Sequence, residues 1–189
     1  MASDPKPRFK KVLNDVVEAF SSETLAPRRA ELFRRISESL KTPGQQVPRV
    51  LYIEDDPTNV DVMQLWLGKR FDVIVASNDI DAVQLFRQER ETLDAVMIDV
   101  ELKGSSMDGV QLTRLFRGTL AASETPEFAK GVEASKVPIV AVTAYFDTFT
   151  RGTLSAAGAE GYFTKPLDFT KLTQALAAMT VRAESPLAT

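Results

Sequence analysis

Residues 50–60, VLYIEDDPTNV, decide the fold. The stretch opens on four apolar residues, Val50 to Ile53, and breaks into three carboxylates, Glu54, Asp55 and Asp56, just before Pro57. A short, unbroken apolar run bounded by a turn signal reads as a strand buried on both faces. Asp56 before Pro57 fits a helix N-cap followed by proline at the first helical position. The stretch therefore reads as a strand running directly into a helix, with the acidic group at the joint. Working outward, the same pattern recurs. Apolar runs appear at 71–76 (FDVIVA), 95–98 (AVMI), 139–142 (IVAV) and 161–164 (GYFT). Helical candidates lie between and after them, near 59–67, 80–90, 108–117, 147–157 and 168–179. The last carries Phe169, Leu172, Leu176 and Met179 on one face. Five such β-α units predict an α/β fold: a five-stranded parallel sheet with helices on both faces.

Two segments stand outside this pattern. Residues 1–48 read as an N-terminal helical extension and linker. Phe9, Val12, Leu13, Val16, Val17 and Phe20 fall at helical spacing, a second helix runs from Pro27 to about Leu40, and TPGQQVP at 42–48 breaks the pattern. This head carries nine basic and six acidic side chains, whereas residues 49–189 carry fourteen and twenty, so the charge balance changes sign near residue 48. Its apolar stripes point to burial against protein and make it the best candidate for an output or dimerisation element. The second segment, GTLAASETPEFAKGVEASK at 118–136, is longer than usual for a connection and reads as an insertion with room for a short helix or hairpin. The tail 181–189 reads as a frayed end.

Composition narrows the chemistry. The chain of 189 residues has a net charge of −3 and a pI near 5.2, which argues against direct nucleic-acid binding. It has no cysteine and no histidine, so thiol catalysis, disulfides and His or Cys metal ligands are excluded. Any metal must be held by oxygen, which points to a hard cation such as Mg2+. Neither a signal peptide nor a run of about 18 apolar residues is present, so membrane insertion is not expected. The expected location is the cytoplasm.

Four predicted strands end in polar groups of compatible chemistry. The first runs into Glu54, Asp55 and Asp56, the third into Asp99, the fourth into Thr143, and the fifth into Thr164, Lys165 and Pro166. Ligands of open α/β sheets bind at the carboxyl ends of the strands, so these residues are expected to converge. Crowded carboxylates resist ionising together, and a divalent cation offsets that cost. A carboxylate is also a nucleophile for phosphoryl transfer, which needs mainly positioning and neutralisation of charge. Lys165 and a metal would supply the charge, and the Thr143 hydroxyl a hydrogen bond. Each residue alone has a plainer reading: the acidic run and Thr143 as helix caps, Lys165 as a solvent-facing side chain. The combination is what carries the functional reading.

From residue 49 to about 180 the sequence resembles a response-regulator receiver domain of two-component signalling, a flavodoxin-like fold. The resemblance rests on VLYIEDDPTNV with its acidic pair and following Asn, on AVMIDVEL, on VPIVAVTAY and on GYFTKPLD. It implies that Glu54 and Asp55 bind Mg2+, that Asp99 is the phosphoacceptor and also touches the metal, and that the backbone carbonyl of Glu101 is the remaining protein ligand. It further implies that Thr143 is the switch hydroxyl, Lys165 pairs with the phosphoryl group, and Tyr162 is the aromatic switch on the last strand. Glu101 and Tyr145 take the positions that tune hydrolysis of the phosphoryl group. The Lys165–Pro166 bond is expected to be cis. Two departures stand out: DVELKGSSMDG keeps Met107, Asp108 and Gly109 but has Lys103 where proline is usual and is about two residues longer, and the 118–136 insertion precedes the fourth strand.

The implied partners are a sensor histidine kinase or a histidine phosphotransfer protein. A homodimer through the helical face of strands 4 and 5, or through the N-terminal helices, is a further expectation. Self-catalysed phosphorylation and dephosphorylation at Asp99 are expected, without turnover of a separate substrate. One alternative is a receiver-fold interaction scaffold that acts independently of phosphorylation, motivated by the altered loop, the insertion and the basic head. A small-molecule phosphohydrolase of the phosphoaspartyl type is the third reading, and it would require a cap over the substrate.

Overall fold

The unbroken apolar runs become strands with apolar layers on both faces. The computed structural model describes residues 47–145 and 148–180. It contains β1 (Arg49–Ile53), α1 (Pro57–Leu67), β2 (Asp72–Ala76), α2 (Asp79–Glu89), β3 (Ala95–Asp99), α3 (Gly109–Arg117), β4 (Ile139–Thr143), α4 (Thr148–Ala157), β5 (Gly161–Thr164) and α5 (Phe169–Thr180). The strands form one parallel sheet in the order β2-β1-β3-β4-β5. Every residue of the central strands β3 and β4 is buried, while the edge strands β2 and β5 are mostly half-buried. That gradient explains why the inner strands read as continuous apolar sequence. The expected α/β architecture is present, with strand and helix limits within about two residues of those read from the sequence.

Alternation along each strand divides the core into two layers. Leu51, Ile53, Val96 and Ile98 face Phe86 of α2 and Leu112 and Phe116 of α3. Val50, Tyr52, Met97 and Val142 face Met63 and Leu67 of α1 and Leu172 and Leu176 of α5. Phe169 and Met179 pack against this second layer half-buried, which completes the stripe expected on the last helix.

Local chemistry fixes where the helices begin. The Asp56 side chain accepts from Thr58 N at 2.8 Å with Pro57 at the first helical position, as the opening stretch suggested. Asn78 caps α2 by accepting from Asp81 N at 2.9 Å. Asp108 and Gln111 form a reciprocal capping box on α3, and Gly118 ends that helix in the left-handed conformation at φ 70°.

Residues 118–136 form neither a standard helix nor a hairpin. They contain two 3-10 turns, Ala122–Glu124 and Glu127–Ala129, and place Ala129 in the α2/α3 layer of the core. The segment is tied down from several directions. Arg87 Nη2 donates to Lys130 O at 2.6 Å, Ser135 N donates to Phe116 O at 2.9 Å, and Arg117 Nη1 reaches Ser135 O at 2.8 Å and Val137 O at 2.9 Å. The helices expected in residues 1–48 and the end expected at 181–189 lie outside the described residues, apart from residues 47 and 48.

Candidate functional site

Because all five strands run in the same direction, their carboxyl ends share one edge of the sheet. Glu54 leaves β1 there, Asp99 ends β3, Thr143 ends β4 and Lys165 follows β5. Glu54 and Asp99 are buried, at 1% and 4% exposure. Lys165 Nζ lies 2.5 Å from Asp99 Oδ2 and 2.9 Å from Glu54 Oε2, joining two segments that are more than 100 and more than 60 residues from it in the chain. One carboxylate oxygen each from Glu54, Asp55 and Asp99 lie within 4.8 Å of one another. That all-oxygen group suits a hard divalent cation, and no His or Cys competes for it.

The electrostatics separate the two buried carboxylates. Burial pushes the Glu54 carboxyl up, but hydrogen bonds from Asn59, Tyr52 and Lys165 outweigh it and hold the group below its ordinary value. Asp99 goes the other way. Burial raises it, the hydrogen bond from Lys165 only partly compensates, and the neighbouring Glu54 charge raises it further. Burial disfavours the Lys165 ammonium, yet its bonds to Asp99 and Glu54 leave it raised and charged. One ammonium therefore serves two carboxylates, with Glu54 firmly ionised and Asp99 the one that gains from added positive charge.

The remaining residues named from the sequence occupy the rim. The Glu101 backbone N–H donates to Asp99 Oδ1 at 3.2 Å, while the Glu101 side chain is exposed. The Thr143 hydroxyl is turned to the following loop, where it donates to Tyr145 O at 2.7 Å and accepts from Tyr145 N at 3.1 Å. The Tyr145 side chain is exposed at 73%. Tyr162 is half-buried on β5, with the Arg151 guanidinium 5.6 Å from its ring centre. Lys165 N donates to Thr143 O at 2.8 Å, which couples the ends of β4 and β5, and the Lys165–Pro166 bond is cis as expected.

Three residues at or near this edge were given no role from the sequence. The Tyr52 hydroxyl donates to Glu54 Oε2 at 2.7 Å, and Asn59 Nδ2 donates to Glu54 Oε1 at 3.0 Å. Asp79, buried at the start of α2, accepts from Ser106 N, Ser106 Oγ and Met107 N at 2.9, 2.6 and 2.9 Å and so pins the long loop after Asp99. A signal for Tyr52 was available: it stands two residues before Glu54 on a strand, hence on the same face.

Residues 50–177 match the family model of the response regulator receiver domain. Over 156 residues the chain is 31% identical to the sensor histidine kinase GacS of Pseudomonas protegens, an alignment covering 81% of this chain but only 15% of that kinase. It is also 31% identical over 121 residues to the protein PilH of Pseudomonas aeruginosa, covering 64% of this chain and 87% of PilH. Among solved structures, the receiver domain of a sensor histidine kinase from P. aeruginosa PAO1 superposes with a TM-score of 0.56 at 26% identity, covering 72% of this chain and 99% of that domain. That receiver domain was crystallised with a magnesium ion coordinated in its active-site cleft. Among the described residues here, no helix is long and apolar enough to cross a membrane.

Proposed function

The chain belongs to the response regulator receiver domain family, and from that premise we propose that it is a phosphorylation-controlled switch whose phosphoacceptor is Asp99. The observation that carries this reading is the Glu54–Lys165–Asp99 cluster, with Asp55 close enough to share a cation. Glu54, Asp55 and Asp99, with the backbone carbonyl of Glu101, would hold Mg2+. When bound, the cation supplies positive charge to the phosphoryl oxygens. An Asp99 carboxylate oxygen attacks the phosphorus of a phosphohistidine on a kinase or phosphotransfer protein. A phosphorus–oxygen bond forms as the phosphorus–nitrogen bond breaks, and the imidazole leaves with the electron pair. Lys165, already against Asp99, then pairs with the phosphoryl group. Thr143 exchanges its local bonds to Tyr145 for one to the same group, and Tyr162 follows on β5. Rearrangement at these two strand ends is relayed to a partner or to a second copy.

Labelling with acetyl phosphate tests the assignment. The full chain should take up one phosphoryl group only with Mg2+ present, and Asp99→Asn should abolish uptake. Unchanged labelling of Asp99→Asn would remove Asp99 from the mechanism.

A further inference from the structure

Glu54 is held by more donors than its pairing with Lys165 requires. Oε2 accepts from both Lys165 Nζ and the Tyr52 hydroxyl, while Oε1 accepts from Asn59 Nδ2 and, at 3.3 Å, from the backbone N–H of Asp56. Tyr52 is fully buried on β1, in the layer that contains Met63, Leu67 and Met97. A phenylalanine would fill that apolar space equally well, so the hydroxyl is explained by its partner and not by packing. A buried tyrosine hydroxyl needs an acceptor, and here the acceptor is the Glu54 carboxylate.

The donors differ in kind. Lys165 is shared with Asp99, so any change that draws its ammonium towards a group on Asp99 takes it away from Glu54. A buried carboxylate left without partners is costly. Tyr52 and Asn59 are neutral, donate to Glu54, and sit on β1 and on α1, which follows it. Their hold on Glu54 does not depend on where the lysine goes.

We propose that Tyr52, seconded by Asn59, is a positioning residue for divalent-cation binding: its hydroxyl keeps the Glu54 carboxylate oriented beside Asp55 and Asp99 whether or not Lys165 is engaged there. The inference rests on the reading of Glu54, Asp55 and Asp99 as the Mg2+ site. Loss of a partner that orients a metal-site carboxylate costs on the order of 10- to 100-fold in metal affinity. Tyr52→Phe should therefore raise the Kd for Mg2+ by about tenfold or more, and Asn59→Ala should raise it in the same direction.

The experiment is calorimetric titration of MgCl2 into the full chain, for wild type, Tyr52→Phe and Asn59→Ala, with each protein's melting first checked in metal-free buffer. A weakened Kd in a variant that still melts cooperatively supports the assignment. A Kd for Tyr52→Phe within twofold of wild type overturns it, even if the metal-free protein melts lower, because that pattern belongs to a purely structural hydroxyl. Should Tyr52→Phe not fold, Asn59→Ala decides by the same criterion. Absence of Mg2+ binding by wild type overturns the metal reading itself and this inference with it, whereas wild-type binding with unchanged variants overturns the inference alone.

Discussion

Asp79 presents a buried carboxylate to the loop that leads away from Asp99. One oxygen takes three donors from Ser106 and Met107, and the other accepts from Ile80 N at 3.0 Å. In return, Asp79 N donates to Ser105 Oγ at 3.2 Å. Burial raises the carboxyl, but the Ser106 hydroxyl and the N–H groups of Met107, Ser106 and Ile80 outweigh it, so its value is lowered on folding. An acid lowered by folding stabilises the protein above its unfolded value, about 3.9 for aspartate, and that stabilisation is lost as pH falls through the folded value. Hydrogen bonds to a charged group contribute about 1.5–3 kcal/mol each at most, and Asn retains part of the accepting capacity. Asp79→Asn should therefore cost about 1–3 kcal/mol at pH 7 in urea unfolding. The gap between wild type and variant should narrow once the pH drops below about 4. A gap that stays constant from pH 7 down through that range would show that the charge of Asp79 contributes nothing.

Among the elements, the connection from β3 to α3 carries the chain away from Asp99. It is closed at both ends: Gly109 N donates to Val100 O at 3.0 Å, and Asp79 holds 105–107 in between. A Cβ on Gly109 would lie 2.2 Å from the carbonyl oxygen of Asp99 and 2.8 Å from Val100 Cα, both backbone atoms with no room to yield. Gly109→Ala should cost at least about 1–3 kcal/mol and displace Asp99 from Lys165. Lowered melting together with reduced acetyl-phosphate labelling would bear this out, whereas full labelling at wild-type stability would show that the connection can shift freely. This element also shows where sequence reading succeeds and stops. Burial on both faces wrote β1, β3 and β4 into the chain as apolar runs, and the strand-end residues Glu54, Asp99 and Lys165 were legible because a parallel sheet brings its carboxyl ends together. For Tyr52 the shared face with Glu54 was legible, but a tyrosine in a strand also reads as an ordinary β-former, and the burial of Glu54 that gives the pairing its weight was not legible. The turns of 118–136 were hidden for a different reason. They are held by Arg87 and Arg117, side chains outside the segment that reach the backbone carbonyls of Lys130, Ser135 and Val137, and no local periodicity records such bonds.

For the whole molecule, the question is how much of the chain the proposed switch needs. The two buried layers are built from residues between Val50 and Leu176. The described residues, which begin at residue 47, contain Glu54, Asp55, Asp99, Thr143 and Lys165 together with both core layers. A chain trimmed to start at Lys41 should therefore unfold cooperatively and retain Mg2+-dependent labelling at Asp99. Loss of either would show that residues 1–40 supply part of the core or of the site. The same pair of proteins separates the two expected routes to a dimer. Beryllofluoride, an acyl-phosphate mimic, should enlarge both proteins in light scattering if the dimer forms through the α4–β5–α5 face, because that face is common to both. Enlargement confined to the full chain would assign association to residues 1–40, whose positive charge balance contrasts with the acidic remainder. A mass for each protein that is unchanged by beryllofluoride would rule out phosphorylation-driven dimerisation and leave a heterologous target as the recipient of the signal.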